Sequence, residues 1–341
     1  IKSNDIVKFL NPKETKNSYF AESGWASIGN KIKVPTNKSI WSVVGNKVLS
    51  VNNPVTLEWN NGSNLIFRKK IEIDDNYLFK INQEVKNNSS EQVELYPYAQ
   101  LTRKNIPEDL KGFYILHEGF IAVLDEELKE DDYDDIEEKK IVREADKGWI
   151  GITDKYWMTA LIPAAGEKFK STFLYQDAYK ANFLLNNPKV IAPSAKANNE
   201  IKIFVAAKEV QTIDAYAEKE NIEKLDLIID WGWFYFFTKP LFFAVDYLFK
   251  LTGNFGIAIV LITIMIRLVF FPLANYSFKS MAKMKALQPE MARLKDLHKD
   301  DKTKLQQAIM SLYKKEQINP ASGCLPVLIQ IPFFFAIYKM L

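Results

Sequence analysis

A single arginine, Arg267, lies within the most hydrophobic segment of the chain. A helix over residues 255–275 would be about 30 Å long, which is the thickness of the hydrocarbon core of a bilayer. A charge at membrane depth costs about 2.5–3.5 kcal/mol on insertion scales, so such a residue usually faces the protein interior or a water-filled cavity. The sequence therefore predicts a membrane protein with a positively charged, hydrated cavity inside the bilayer.

Charge divides the 341-residue chain into two unlike parts. Residues 1–230 carry 31 lysines and arginines against 36 aspartates and glutamates, whereas residues 231–341 hold the apolar segments and a net charge of +8. We therefore expect a polar domain followed by a membrane region. The chain begins at Ile1 and stops at Leu341 within an apolar run, so we expect it to be part of a longer protein. Cys324 is the single cysteine, which excludes an intrachain disulfide.

Residues 1–220 are predicted to form a β-sandwich with a helix at its C-terminal end. Apolar and polar residues alternate along 65–73, 77–85 and 93–101, and Asp, Asn and Ser turns separate these runs. Strands at this spacing are typical of a sandwich of two sheets. The acidic run 125–138 is interpreted as a solvated loop. Further strands are expected within 41–51, 113–124, 149–153, 156–162, 168–174 and 200–206, and a helix over 208–220.

The second part is predicted to contain four helical segments. Ten of the nineteen residues in 231–249 are aromatic, and the charged residues of 231–252 lie near one face. This pattern favours an amphipathic helix at the bilayer interface over a full span. Residues 255–275 are the first transmembrane helix. Residues 276–322 hold ten basic against five acidic residues and one apolar seam, which predicts a cytoplasmic helical hairpin. Residues 323–341 are expected to begin the next transmembrane helix.

Three polar residues of the two spans are candidates for lining a cavity. Thr263 and Arg267 are four residues apart and share a helix face, and Gln330 lies in the second span. We interpret them as the walls of a groove that attracts acidic or polar segments. Arg267 could instead snorkel to the inner interface or serve an ion path, and Gln330 could join two helices by a hydrogen bond. The residues alone leave these alternatives open.

The sequence contains no credible set of residues for bond chemistry. Its two histidines are His117 and His298, and no metal spacing, glycine-rich phosphate loop or nucleophile motif is present. We therefore predict a protein that is not an enzyme and needs no cofactor or metal. The alternative is a membrane-anchored carbohydrate-binding or mutarotase-like protein, which would require an acid–base pair in a cleft. A channel or transporter would require paired charges on several helices.

Three segments of the second part closely resemble the bacterial form of the YidC/Oxa/Alb family of membrane protein insertases. They are Ile266–Leu273 (IRLVFFPL), Lys279–Pro289 (KSMAKMKALQP) and Leu312–Pro332 (LYKKEQINPASGCLPVLIQIP). A looser similarity extends through the first part, in Leu95-Tyr-Pro-Tyr, Gly148-Trp-Ile-Gly-Ile and Ala160-Leu-Ile-Pro. Nearly the whole chain is covered.

The resemblance implies a domain arrangement. Residues 1–220 would be a periplasmic β-supersandwich similar to sugar mutarotases but without their activity. Residues 231–252 would be a periplasmic amphipathic helix, and the hairpin 276–322 would recruit substrates and lie near the ribosome. The protein would be a multi-pass protein of the bacterial inner membrane.

The resemblance also implies a function and a site. The protein would be an insertase and chaperone that moves hydrophobic segments of nascent membrane proteins into the lipid bilayer, alone or with the Sec translocon. Arg267, Thr263 and Gln330 would line the hydrated groove. The residues expected to contact substrate are Ile331, Pro332 and Phe334.

Overall fold

The structure is a computed structural model that describes residues 9–107, 110, 116–232, 234–299, 301–316 and 325–340. The chain divides after Asp230 into two compact units. The first unit is rich in strands and the second is helical. The change of composition near residue 230 thus coincides with a change of architecture.

The first unit is a sandwich of two antiparallel sheets, which confirms the predicted fold class. Its strands are β1 (Tyr19–Ala26), β2 (Ser42–Val44), β3 (Val55–Asn60), β4 (Leu65–Ile73), β5 (Leu78–Asn87), β6 (Val93–Arg103), β7 (Gly119–Leu124), β8 (Glu127–Asp131), β9 (Ile141–Ala145), β10 (Gly148–Thr153), β11 (Trp157–Ile162), β12 (Phe169–Tyr175), β13 (Tyr179–Leu185), β14 (Lys189–Ile191) and β15 (Lys196–Ala207). The larger sheet has the order β2-β3-β4-β5-β15-β11-β10-β7-β8. The smaller sheet has the order β1-β6-β13-β12-β9, and β14 also pairs with β6.

The space between the two sheets is filled by the inward-facing residues of both. Phe120 of the larger sheet packs in one cluster with Leu101, Phe173 and Phe183 of the smaller sheet. Each such side chain contributes about 1.5–3 kcal/mol when it leaves water. The alternation predicted along 93–101 is confirmed, and its buried positions are Val93, Leu95, Pro97, Ala99 and Leu101.

A third layer covers the outer face of the larger sheet. Helix α2 (Val210–Lys219) and a 3-10 turn at Leu225–Ile228 pack on this face. The indole of Trp149 donates a hydrogen bond of 3.1 Å to the carbonyl oxygen of Glu223. The hydroxyl of Tyr216 donates one of 2.5 Å to Asp74. The helix predicted over 208–220 is therefore confirmed, and it closes the sandwich.

The prediction that residues 125–138 form a solvated loop was wrong. They form strand β8 and helix α1 (Tyr133–Glu138). Tyr133 and Ile136 lie on one face of α1 and are buried, while the four acidic residues of this helix are exposed. Asp131 is buried as well, because Arg143 donates two hydrogen bonds of 2.6 and 2.7 Å to its carboxylate. The acidic composition suggested a loop, although Tyr133 and Ile136 are three residues apart and therefore lie on one face of a helix.

Strand bounds differ from the predicted ones at two further places. Only 42–44 of the segment 41–51 is a strand, and β7 begins at Gly119. Residues 113–115 lie outside the described part of the chain. The strands expected in the other four segments are found as β10, β11, β12 and β15.

The second unit contains five helices among its described residues. They are α3 (Tyr235–Thr252), α4 (Phe255–Ala286), α5 (Gln288–Leu297), α6 (Lys302–Lys315) and α7 (Leu325–Met340). Within the described ranges, α4 is the one helix long and apolar enough to cross a membrane, and Leu328–Lys339 is a shorter apolar stretch. The helix does not end at residue 275 but continues to Ala286. The predicted span and the first turns of the predicted hairpin are therefore one helix.

Helices α3 and α4 lie side by side in opposite directions. Gly253, with a φ of 65°, ends α3, and the side chain of Asn254 accepts a hydrogen bond of 3.2 Å from the Ile257 amide at the start of α4. Pro240 lies within α3 without ending it. The contact between the two helices is formed by Leu241, Ala244, Val245 and Leu248 of α3 and by Ala258, Ile262 and Ile266 of α4.

Helices α5 and α6 form a hairpin along the predicted apolar seam. The side chain of Asp301 caps α6 by accepting a hydrogen bond of 3.0 Å from the Lys304 amide. The hydroxyl of Tyr313 lies 3.4 Å from the sulfur of Met291, and Leu312 is buried. The seam positions that precede the turn are all half-buried between exposed neighbours; they are Met281, Met284, Leu287, Met291 and Leu294.

Candidate functional site

Arg267 and Thr263 lie one turn apart on an exposed face of α4. The hydroxyl of Thr263 donates a hydrogen bond of 2.7 Å to the carbonyl oxygen of Ile259, so its donor is satisfied within the helix. Arg267 forms no ion pair with any carboxylate in the part of the chain that the structure describes. Its positive charge is therefore not neutralised by those residues.

The position of Arg267 on α4 follows from the packing of this helix. Ala258, Ile262, Ile266 and Phe270 recur every four residues and face α3 and α7. Each residue turns about 100° around a helix axis, so Arg267 lies beside this packed face and not within it. A charged side chain at the flank of a helix–helix contact can reach a neighbouring polar space without being buried in the contact itself.

Helix α7 presents the other predicted residues in two different environments. Gln330 and Pro332 are half-buried, whereas Ile331 and Phe334 are exposed. Pro332 lies within the helix, where its missing N–H leaves one carbonyl of the preceding turn without its usual partner. The exposed pair provides an apolar surface on the outside of this unit.

Phe333, which lies between Pro332 and Phe334 in α7, also contacts α3 and α4. The ring of Phe333 lies 4.7 Å from that of Phe237 in α3 and 5.0 Å from that of Phe270 in α4. Aromatic pairs at these distances contribute about 0.5–1.5 kcal/mol each beyond their burial. No local sequence pattern distinguishes these three phenylalanines, although the aromatic density of 231–249 is a signal for Phe237.

The structure brings the two candidate helices together near their polar residues. Phe270 follows Arg267 by three residues, and Phe333 follows Gln330 by three residues. Each polar residue is thus about one helical turn from the contact between α4 and α7. Within the described residues, Arg267, Thr263 and Gln330 form no hydrogen bonds with one another.

The first unit holds a second candidate site, which no sequence pattern predicted. A cavity of about 600 Å³ lies at one end of the sandwich, and Arg103, Glu118, Asp154 and Trp157 contribute to its wall. Arg103 and Asp154 form an ion pair of 2.6 Å in which both side chains are largely buried. No group of three or more potential metal ligands occurs among the described residues. The residues of the pair are 51 positions apart, so no local motif could have revealed it.

Comparison with protein families identifies the kind of protein to which this architecture belongs. The model of the YidC periplasmic domain matches residues 1–244, and the model of the 60Kd inner membrane protein matches residues 247–341. Together they describe an inner membrane protein with a periplasmic domain. The chain belongs to the YidC family, which confirms the resemblance of its sequence motifs.

Individual relatives support this assignment. The chain is 52% identical over 338 residues to the membrane protein insertase YidC of Pelagibacter ubique (strain HTCC1062), covering 99% of this chain and 60% of the relative. It is 43% identical over 346 residues to the protein of the same name from Rickettsia bellii (strain OSU 85-389), covering 99% and 61%. The chain thus spans about three fifths of the length of these relatives.

Solved structures give weaker similarities. A crystal structure of an active YidC insertase with its first transmembrane domain resolved is 20% identical, with 93% of this chain and 61% of that chain covered and a TM-score of 0.31. A galactose mutarotase related enzyme from Lactobacillus acidophilus is 13% identical, with coverage of 48% and 70% and a TM-score of 0.35. Scores of this size establish no shared fold, so the similarity to sugar mutarotases stays a prediction.

Proposed function

We propose that this chain is the part of a membrane protein insertase and chaperone that receives hydrophobic segments of nascent membrane proteins and releases them into the bilayer. The observation that carries the proposal is the exposed Arg267 in the apolar helix α4, without an ion pair to a described carboxylate. The names of the relatives in Pelagibacter and Rickettsia support the same activity.

Arg267, Thr263 and Gln330 would line a hydrated groove. Two unit charges 4 Å apart attract each other by about 4 kcal/mol at an effective dielectric constant near 20. Arg267 would therefore hold an acidic part of a client while that part leaves bulk water. Thr263 and Gln330 would exchange hydrogen bonds with a passing polar backbone, since both side chains can donate and accept.

The apolar part of the client would leave the groove along α7. Ile331 and Phe334 are exposed, and Pro332 lies between them, so we propose these three residues as substrate contacts. A leucine, isoleucine or phenylalanine gains about 0.3–0.6 kcal/mol when it enters the centre of the bilayer. This gain drives the transfer without a nucleotide or cofactor. No covalent bond is broken, and the proposed function therefore requires no catalytic residues.

The positive charge of the second unit supports a particular orientation of the protein in the membrane. Short loops rich in lysine and arginine stay in the cytoplasm, so we propose that the α5–α6 hairpin lies on the cytoplasmic side near the ribosome. The first unit would lie in the periplasm, and α3 would be the amphipathic helix at the periplasmic surface. The complete protein would be a multi-pass inner membrane protein that works alone or with the Sec translocon.

A charge substitution in the full-length protein tests the role of Arg267. We expect Arg267→Ala to slow the insertion of clients whose translocated segment is acidic, and Arg267→Lys to retain much of the rate. Arg68→Ala removes the same side chain from an exposed position of the first unit and is the matched control. Insertion is measured by protease protection of the client, with accumulation of each variant verified. Wild-type rates for acidic clients in Arg267→Ala would refute the role.

A photocrosslinking residue at Gln330 tests the proposed substrate path. Ribosomes stalled on a short membrane client should give crosslinks between position 330 and the apolar segment of that client. If a well-inserted variant inserts the client but gives no crosslink, the groove is a packing feature and does not carry substrate.

A further inference from the structure

The cavity at the end of the sandwich has the size of a small-molecule site. Its volume of about 600 Å³ falls within the range of about 300–1,000 Å³ that is usual for ligand pockets. Segments from β6, from the turn between β10 and β11, and from the chain before β1 form its wall. It lies wholly within the first unit and contains none of the residues proposed for insertion.

Arg103, in the wall of the cavity, is held by three contacts. Its Nη1 donates to Asp154 over 2.6 Å, and its Nε donates to the carbonyl oxygen of Asn105 over 3.1 Å. The guanidinium also lies 4.9 Å from the centre of the Tyr19 ring. These contacts fix the position of the guanidinium, and its charge is matched by Asp154. A preorganised wall lowers the entropy cost of binding.

Two carboxylates of the wall retain acceptor capacity. Glu118 uses Oε1 to accept a hydrogen bond of 2.9 Å from the Lys155 amide, and Asp154 uses Oδ1 for Arg103. Within the described part of the chain, the second oxygen of each carboxylate has no hydrogen-bond partner. The side-chain amides of Asn11 and Asn17 also line the cavity and can donate. The wall thus offers acceptors and donors side by side.

Aromatic residues form another part of the wall. Trp157 stacks on Phe9 with ring centroids 5.5 Å apart, and both residues line the cavity. Tyr156 also lines the cavity and is 59% exposed, and the ammonium group of Lys155 lies 4.8 Å from the centre of its ring. Flat apolar rings beside hydrogen-bonding groups suit a ligand that has apolar C–H faces and polar edges.

The charges of the wall do not favour a ligand of one sign. Arg103 and Asp154 neutralise each other, and the remaining charged residues of the wall, Glu118, Lys16 and Lys155, carry both signs. Hydroxyl groups both donate and accept, so a neutral ring with several hydroxyls matches the mixed wall and its aromatic faces at once. We propose that this cavity binds a neutral saccharide.

The proposal is for binding and not for turnover. His117, next to Glu118 in the chain, contacts the carbonyl oxygen of Phe120 at 2.9 Å and the carboxylate of Asp132 at 3.4 Å, so its ring nitrogens are already engaged. Saccharide binding is independent of the insertase proposal, because it is measured without a client protein.

Saturation-transfer NMR on the full-length protein in lipid nanodiscs tests the proposal. Nanodiscs replace maltoside and glucoside detergents, whose sugar headgroups would compete for the site. Glucose, galactose, N-acetylglucosamine and maltose are the probes, and an uncharged pentapeptide is the comparison ligand. We expect saturable binding of at least one sugar with a Kd on the order of 1 mM, and no saturable binding of the peptide.

Matched variants assign the binding to this cavity. Glu118→Gln should weaken the sugar at least about tenfold, equivalent to one lost strong hydrogen bond, whereas Glu144→Gln, in an exposed ion pair with Lys170, should leave it unchanged. If Glu118→Gln unfolds, Asn17→Ala on an exposed loop serves for the same comparison. Absence of saturation transfer from all four sugars, equal affinity in both glutamine variants, or binding of the peptide alone would overturn the proposal.

Discussion

The rings of Phe270 and Phe333 lie 5.0 Å apart, centroid to centroid, in a T-shaped arrangement that joins α4 to α7. Phe237 of α3 packs against the same ring of Phe333 from another side. One residue of α7 therefore contacts both preceding helices. The rotation of α7 about its own axis is fixed by this contact, and with it the direction in which Phe334 and Ile331 project.

Neighbouring phenylalanines of α7 should respond differently to truncation. Phe333→Ala removes two ring contacts and should destabilise the second unit by about 1–3 kcal/mol, at about 0.5–1.5 kcal/mol for each contact. Phe334→Ala removes an exposed ring and should leave stability unchanged while it slows insertion of clients. Unfolding by SDS titration, followed by tryptophan fluorescence, measures the first effect. Equal stability of the two variants would contradict the role given to Phe333.

The ion pair of Arg103 and Asp154 should be costly to break. The two side chains are 13% and 15% exposed, and removing one partner of a buried pair typically costs about 3–5 kcal/mol. We expect Asp154→Asn to destabilise the sandwich by about 3 kcal/mol, because asparagine keeps an acceptor but loses the charge. Urea unfolding gives this value directly.

An exposed pair provides the control for that measurement. Glu144 and Lys170 are 62% and 48% exposed and 3.2 Å apart, and such pairs contribute about 0–1 kcal/mol. Glu144→Gln should therefore change the stability very little. If Asp154→Asn and Glu144→Gln lower the free energy of unfolding equally, burial does not determine how much the pair of Arg103 and Asp154 contributes to stability.

Local patterns predicted much of this fold, and distant contacts explain what they missed. The seam through Met291 and the alternation around Leu95 repeat within a few residues, so the sequence displays them directly. The helix α1 escaped because Tyr133 and Ile136 are only two apolar residues in an acidic run. Phe333 is one of three consecutive phenylalanines, and only the packing against other helices distinguishes it from its neighbours.

The sequence indicated which polar residues of the second unit could form a site, but it did not indicate how these residues are arranged in space. A charge in an apolar helix costs free energy wherever it points, so Arg267 stood out from the sequence alone. The cavity of the first unit depends on residues that come together from four distant segments, such as Asn17, Arg103, Glu118 and Trp157. No single segment contains enough of it to form a motif.

The sandwich should become more stable as the pH rises from about 8 to 10. Burial lowers the pKa of Lys208 to about 8, although the carboxylates of Asp154, Glu118, Asp230 and Glu130 act in the opposite direction. A lysine in the unfolded chain has a pKa of about 10.4. Between these values the unfolded chain binds more protons than the folded one, so stability increases with pH. Below pH 8 both states are protonated and this slope vanishes.

Lysine variants separate the contributions to this slope. Lys208→Met should reduce the increase of stability with pH. The increase that is left should come from Lys69, since burial lowers its pKa to about 8 as well. Burial raises the pKa of Tyr19 and Tyr133 far above the usual value, so their ionisation in the unfolded chain, where the pKa is about 10, begins to oppose the gain in stability as the pH nears 10. Urea unfolding at pH 7, 8, 9 and 10 measures the slope, with exposed Lys139→Met as control. A slope that Lys208→Met leaves unchanged would show that this lysine does not titrate in the window.

Deletions in the full-length protein should separate the two units by function. The proposed groove residues and the basic hairpin all follow residue 255, and the hairpin has its own seam with Leu312 buried. We therefore expect removal of much of 1–200 to be tolerated better than removal of 276–322, which would take the final turns of α4 together with α5 and α6. Complementation of a depleted strain and client insertion into membrane vesicles are the two measurements. Equal loss of insertion from both deletions, with both proteins present in the membrane, would place an essential part of the activity in the sandwich.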